Sequence, residues 1–272
     1  MKVTGIIAEY NPFHQGHAYH LSRARELTGA DRILVVMGGN FMQRGEPAII
    51  DKYIRTEMAL RNGADLVLEL PAASATGSAE YFAEGAVELL DASGVVTELC
   101  FGSELGELEP LEKAAELLLE EPEAYQELLR TELKKGRTFP EARETALSSF
   151  LPEKSLLASP NNILAIEYIK ALKRRKSPIQ PLTIQRLGNY HGEDGQPDGT
   201  PRTVSGNLPE SFASASTIRC QLHTLKKQIE TSCEQPAFVS LMTALAKELP
   251  PSSFGLLKDI LLADRLVQAE DF

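Results

Sequence analysis

Short apolar runs alternating with helical stretches constrain this chain most. Residues 3–8 (VTGIIA), 32–37 (RILVVM), 66–70 (LVLEL) and 97–101 (TELCF) are each too short for a buried helix and read as short strands. Between them, residues 18–27, 51–62 and 78–92 carry helical patterning, with Gly29 and Gly63 placed as stops. This alternation predicts βαβ units, a parallel sheet and right-handed crossovers, and so an α/β fold with its site at the carboxyl ends of the strands. A fifth run, 179–187 (IQPLTIQRL), carries Pro181, which cannot donate to a ladder and predicts an edge or strand start.

Composition narrows the class. The chain has 272 residues, 43% hydrophobic and 24% charged, enough for a sizeable core and unlike a disordered or fibrous chain. No apolar run approaches the ~18–20 residues of a membrane span. The opening MKVTGIIAEYNPF lacks the long apolar stretch of a secretory signal, so no export and no membrane association are expected. Three widely spaced cysteines without CxxC argue against disulfides and a cysteine zinc site, and for a cytoplasmic protein. The net charge of −10 argues against indiscriminate nucleic-acid coating. Ten glutamates between Glu104 and Glu132 supply much of that charge and read as a solvated helical face.

Residues 107–147 are helical in pattern and divided by Pro110, Pro122 and Pro140, a helical insertion of about 107–150. Ser159-Pro160-Asn161-Asn162 reads as a helix start, and that helix ends in five cations, Lys170, Lys173, Arg174, Arg175 and Lys176. Residues 188–209 form the one long loop, 214–229 restart a helix, and the helical pattern continues toward residue 272. The expected division is a catalytic domain over 1–220 and a helical region over 221–272.

The chemistry concentrates in Asn11-Pro12-Phe13-His14-Gln15-Gly16-His17. Three of the five histidines, His14, His17 and His20, lie in seven residues where the first strand hands over to the first helix. Helix-start N–H groups and the helix dipole favour phosphate there. His14 and His17, three apart, share a face, and Gly16 admits a ligand close to the backbone. A zinc pair or surface histidines are the alternatives. Zinc needs further ligands that no spacing supplies, so no metal is expected at protein side chains.

His14-Gln15-Gly16-His17 after a first strand resembles the HxGH motif of the nucleotidyltransferase superfamily, and Ser214-Ala215-Ser216-Thr217-Ile218-Arg219 resembles its second phosphate-binding signature. That resemblance implies a Rossmann-like, doubly wound parallel sheet with helical insertions and a helical C-terminal part. GIIAEYNPFHQGHAYHL, VVMGGNFMQRGEPAIIDKYIRTEMAL, GADLVLELP, CFGSE, SPNNILAIEYIKAL and SASTIR, in that order, are similar to the bacterial tRNA(Met) cytidine acetate ligase family, up to about Arg219. The resemblance implies a ligase that activates acetate with ATP to acetyl-adenylate and acetylates N4 of the wobble cytidine of elongator tRNA(Met), with Mg²⁺ as a candidate companion of the triphosphate. Members of that family continue past residue 272, so the helical region would be part of a longer one.

The resemblance assigns ATP contacts to Ile7, Ala8, Glu9, Tyr10, Asn11, Pro12, Phe13, His14, Gln15, Gly16, His17, Ala18, Tyr19 and His20, with His14 and His17 catalytic. It adds Gly102, Asn162, Arg186, Leu187, Ser216, Thr217 and Arg219. Read without it, Gly102 is a strand-ending turn, Asn162 a helix cap, Arg186 a surface charge, and Ser216 and Thr217 caps. Asn40, Arg44, Asp51 and Lys52 follow the second strand without assignable roles. Two other functions remain open at this point, a nucleotidyltransferase acting on a phosphorylated metabolite and a nucleotide- or RNA-binding protein without turnover. In an acidic chain, RNA is expected to meet a local basic face, and Lys170, Lys173, Arg174, Arg175 and Lys176, continued by Arg202 and Lys226-Lys227, are the candidates.

Overall fold

The computed structural model describes residues 1–153, 155–186, 212–231 and 235–262, with the side chains of 225–231, 235–241 and 262 left aside. Leu187, Arg202 and the loop of 188–209 lie outside the described residues, as do the side chains of Lys226 and Lys227.

Five strands form one parallel sheet: β1 (Val3–Ala8), β2 (Arg32–Gly38), β3 (Leu66–Leu70), β4 (Glu98–Ser103) and β5 (Gln180–Gln185), in the order β3-β2-β1-β4-β5. Pro181 sits on the edge strand β5, where its missing N–H costs no ladder bond. The chain runs outward from β1 to β2 and β3, then returns to β4 on the other side of β1. That reversal opens a crevice at the carboxyl ends of β1 and β4.

The helices are α1 (Gln15–Thr28), α2 (Lys52–Arg61), the short α3 (Ala72–Ala75), α4 (Ala79–Ala92), α5 (Leu108–Glu120), α6 (Glu123–Lys134), α7 (Phe139–Leu147), α8 (Pro160–Arg175), α9 (Ala215–Thr231), α10 (Gln235–Glu248) and α11 (Pro251–Leu262). They cover both faces of the sheet. β2 shows why a continuous apolar run was needed: Ile33, Val35 and Met37 bury toward one face, Leu34 and Val36 toward the other. The first face carries Leu21 of α1, Met58 of α2, Ile218 and Leu222 of α9, and Leu257 of α11. The second carries Phe82 and Leu90 of α4, Leu111 of α5 and Ile166 of α8. Packing on the first face is continuous across residue 220, since α9, α10 and α11 share one core with α1 and α2.

Helix ends follow local chemistry. Ser78 caps α4, Asp51 caps α2, and Gly29 closes α1 in the left-handed conformation at φ 65°. α1 begins at Gln15, three residues earlier than the apolar pattern predicts, because His14 is its cap. Pro110, Pro122 and Pro140 stand in the first turn of α5, at the cap of α6 and in the first turn of α7, the positions where a missing N–H is tolerated. Among the described residues no helix is long and apolar enough to cross a membrane.

Candidate active site

A cleft of about 330 Å³ lies at the carboxyl ends of β1, β4 and β5, within the range of small-molecule sites. Its floor is the turn from β1 into α1. Arg55 of α2, fully buried, holds that region from below. Its guanidinium donates to the carbonyls of Ile50 (2.9 Å), Glu9 (2.6 Å), Gly38 (3.1 Å) and Gly39, joining the ends of β1 and β2. Burial lowers its pKa to about 10, still far above neutrality, so it remains a cation solvated by carbonyl dipoles. Asn11 adds a second tie, its Oδ1 accepting from Ile49 N at 2.9 Å.

His14 and His17 cap α1 reciprocally. His14 Nδ1 accepts from Gly16 N at 3.1 Å, and His17 Nδ1 accepts from His14 N at 3.2 Å. Both Nδ1 atoms are acceptors, so each neutral ring carries its proton on Nε2 and presents an Nε2–H donor. The rings stack at 3.7 Å between centroids, and Tyr10 meets His17 edge-on at 4.8 Å. Gly16 is required by this packing, because a Cβ there would lie 2.9 Å from His14 Cε1. Burial, then the nearby Arg186 charge, lowers the His14 pKa to about 3 and that of His20 to about 4. His17 is held well below its ordinary value by burial first and then by His14, Arg186 and His20. All three imidazoles are neutral donors near pH 7, not cations. Among the described residues, His20 Nε2 and the Tyr10 hydroxyl are buried without a hydrogen-bond partner, and both residues line the cleft.

Two arginines complete this wall. Arg219 of α9 donates to the Asn11 carbonyl at 2.9 Å and to Ser216 Oγ at 3.1 Å, fastening the second motif onto the first across 208 positions. Arg186, after β5, donates to Asn161 Oδ1 at 3.3 Å and passes close to Gly102, where a Cβ would meet its Cγ at 3.2 Å.

Ile7, Ala8, Glu9, Tyr10, Asn11, His14, Gly16, His17, Tyr19, His20, Gly102, Arg186, Ser216 and Arg219 all line the cleft. Pro12, Phe13, Gln15, Ala18, Asn162 and Thr217 are not among its lining residues; Phe13 is core, and Leu187 is outside the described residues. Asn162 is a buried clamp: its Oδ1 accepts from Glu104 N at 3.0 Å and Leu105 N at 3.2 Å, while its neighbour Asn161 faces the cleft. Thr217 engages the cap residue Ser214, whose Oγ accepts its N–H at 3.1 Å. Met42, Gln43, Arg44 and Glu46 line the opposite side, and Phe82, Phe101, Leu164 and Tyr168 supply an apolar wall. Of the residues after β2, Arg44 reaches the cleft, whereas Asp51 caps α2 and Lys52 pairs with Glu69 at 2.7 Å. The apolar wall and Arg55 had no signal in the sequence, since each looks like an ordinary core or surface helix position.

The cations of the expected basic face are largely paired. Lys170 is buried and paired with Glu167 at 2.7 Å. Lys173 meets Glu116 at 2.7 Å, Arg174 meets Glu80 and Glu84 at 2.5 Å, and Arg175 meets Asp91 at 3.2 Å and Glu88 at 3.5 Å. Lys176 terminates α8 at φ 52°. α8 runs against the strands, so its last residue, Arg175, lies toward the amino edge of the sheet, about 21 Å of helix from Asn161 at the cleft. Carboxylates of α4 and α5 pair with Lys173, Arg174 and Arg175, whose side chains stay part exposed, and Lys176 is exposed.

Comparison with known proteins agrees with this geometry. The chain matches the HIGH Nucleotidyl Transferase family over residues 1–272. It is 46% identical to the tRNA(Met) cytidine acetate ligase of Acetivibrio thermocellus, over 100% of this chain and 61% of the relative. It is 50% identical to that of Thermoanaerobacter sp. strain X514, over 85% and 55% of the two chains. Among solved structures it resembles Thermotoga maritima TmcAL bound with alpha-thio ATP, with a TM-score of 0.79 at 40% identity over 98% of this chain and 57% of that one. The apo form of the same protein gives 0.80 at 41% identity. The chain thus spans about 55–61% of the length of these curated relatives. With the HxGH turn, the second motif and the parallel sheet in one arrangement, the chain belongs to the HIGH nucleotidyl transferase family.

Proposed function

We propose that the cleft activates acetate with ATP and transfers the acetyl group to N4 of the wobble cytidine of elongator tRNA(Met). The observation that carries this reading is the stacked His14–His17 pair, each ring fixed with an Nε2–H donor at the start of α1. The names of the relatives, and the ATP analogue bound by a similar structure, support the choice of substrates.

In the first step a carboxylate oxygen of acetate attacks the α-phosphorus and pyrophosphate leaves. Negative charge develops on the α-phosphate oxygens and the leaving group. His14 and His17 donate to it through Nε2–H, and the α1 dipole adds to the field. Neutral imidazoles suit this role because they are preorganised by backbone bonds and need no proton uptake. Arg186 and Arg219, with Ser216, hold the distal phosphates. In the second step the cytidine amine attacks the acyl carbon and AMP leaves. Among the described residues no group of three His, Cys, Asp or Glu is placed to hold a metal, so the side chains present do not form a cage for Mg²⁺. The reaction belongs in the cytoplasm, consistent with the free thiols of Cys100 and Cys220.

The test is incubation of the protein with ATP, labelled acetate and bulk bacterial tRNA, followed by digestion of the tRNA. Labelled N4-acetylcytidine, with release of AMP and pyrophosphate, is expected. Adenylylation of a phosphorylated metabolite without use of acetate would overturn the reading.

A further inference from the structure

The cleft is polarised, and the activation step as proposed above assigns no role to its second end. His14, His17, His20, Arg186 and Arg219 occupy one end. Glu9 and Glu46 stand at the other, beside Gln43 and Arg44 on the turn between Met42 and Glu46. Arg186 acts electrostatically on all three histidines, whereas Glu9 acts on Tyr168 and Arg55. Glu9 is also oriented: its Oε1 accepts from Gln43 N at 2.7 Å, a charge-assisted bond that aims a carboxylate along the cleft wall.

A carboxylate is a poor neighbour for acetate and for the triphosphate of ATP, which are anions. Its natural ligand is an N–H donor. The acceptor of the second step supplies one, because the exocyclic amine of cytosine donates to Asp or Glu and must lose a proton on acylation.

We propose that Glu9 is the general base of the transfer step, held by the Gln43 N–H at the carboxylate end of the cleft, where it receives the amine of the acceptor cytosine. This rests on the function proposed above. As the N4 lone pair bonds to the acyl carbon, the proton on N4 passes to the Glu9 carboxylate. The bond between acyl carbon and phosphate oxygen breaks, and AMP departs with that electron pair. Glu9 then returns its proton to water.

Hydroxylamine separates the two steps, because it captures acetyl-adenylate without assistance from a base. In each protein, acetyl-hydroxamate formation from ATP, acetate and hydroxylamine measures activation, and acetylation of elongator tRNA(Met) at low salt measures transfer. The ratio of transfer to activation is expected to fall roughly 10²–10⁴-fold in Glu9→Gln. It should fall less in Glu9→Asp, which keeps a carboxylate. If the two rates fall together, leaving the ratio unchanged, Glu9 serves the nucleotide and the proposal is overturned. Equal losses of the ratio in the Gln and Asp variants would overturn it as well, as would a parent protein that forms hydroxamate but acetylates no tRNA. A parent that forms no acetate-dependent hydroxamate would overturn the proposed function itself, a separate outcome. Circular dichroism establishes that the variants are folded; should Glu9→Gln fail that check, the ratio in Glu9→Asp against the parent decides, and no fall there overturns the proposal.

Discussion

The two ends of α8 present opposite solutions to the same problem, that of polar groups gathered in one place. Along the second half of α8, running toward the amino edge of the sheet, Lys170, Lys173, Arg174 and Arg175 each meet at least one carboxylate from Glu80, Glu84, Glu88, Asp91, Glu116 or Glu167. At the carboxyl edge, near Asn161, and among the described residues, the imidazoles of His14, His17 and His20 have no carboxylate among the groups that shift them, and His20 Nε2 has no partner. The first arrangement is internally satisfied and belongs to stability. The second is oriented and, in the function proposed above, meets phosphate. Strand direction decides which edge is which, and a count of cations along the chain cannot.

Substitutions at the two edges should separate in the same way. The largest effect is expected from Lys170→Ala, which leaves Glu167 buried with only Arg143 at 3.4 Å. Breaking one side of a buried pair costs about 3–5 kcal/mol, to be read from denaturant unfolding. A loss under about 1 kcal/mol would mean that the amino edge is not the stabilising one.

His17→Ala should leave the fold standing and lower acetate-dependent exchange of pyrophosphate into ATP by ~10²–10³. Near-normal exchange in a folded variant would remove His17 from the reaction. Arg186→Ala should weaken ATP binding by about 10–100-fold, the loss of a hydrogen bond to a charged group worth about 1.5–3 kcal/mol, as measured by calorimetry. Unchanged affinity would detach Arg186 from the phosphates. The smallest effect is expected from reversing Arg174 and Arg175 together to Glu. These exposed pairs are worth about 0.2–1 kcal/mol each, so the melting temperature should drop by a few degrees while exchange persists. A large fall in tRNA affinity at low salt in that double variant would restore the basic cluster as an RNA surface.

The comparison also marks what the sequence could reveal. The β1–α1 turn was legible because a buried strand, a Gly and three closely spaced histidines stand together within residues 3–20. The edge position of β5 was legible from Pro181. The reciprocal capping by His14 and His17 was not, since imidazole is an uncommon cap and the apolar pattern of α1 begins only at Ala18. Arg55 was invisible for another reason. An arginine within KYIRTEMALR reads as a solvated helix position, and only the tertiary fold gathers four carbonyls around it. Pairing of Lys173, Arg174 and Arg175 is equally non-local, with partners 57 to 94 residues away, whereas Lys170 pairs with Glu167 one turn off.

The central claim is that His14 and His17 are neutral Nε2–H donors aimed at phosphate. Because burial lowers both pKa values below the ordinary 6.5, that of His14 to about 3, neither ring should take up a proton as the pH falls from 7 to 6. Nitrogen-15 NMR of histidine-labelled protein at pH 6, with and without ATP, tests this directly. Nδ1 unprotonated and Nε2 protonated are expected in both rings, with both Nε2 resonances moving when ATP binds. Imidazolium signals at pH 6, or Nε2 resonances indifferent to ATP, would contradict it.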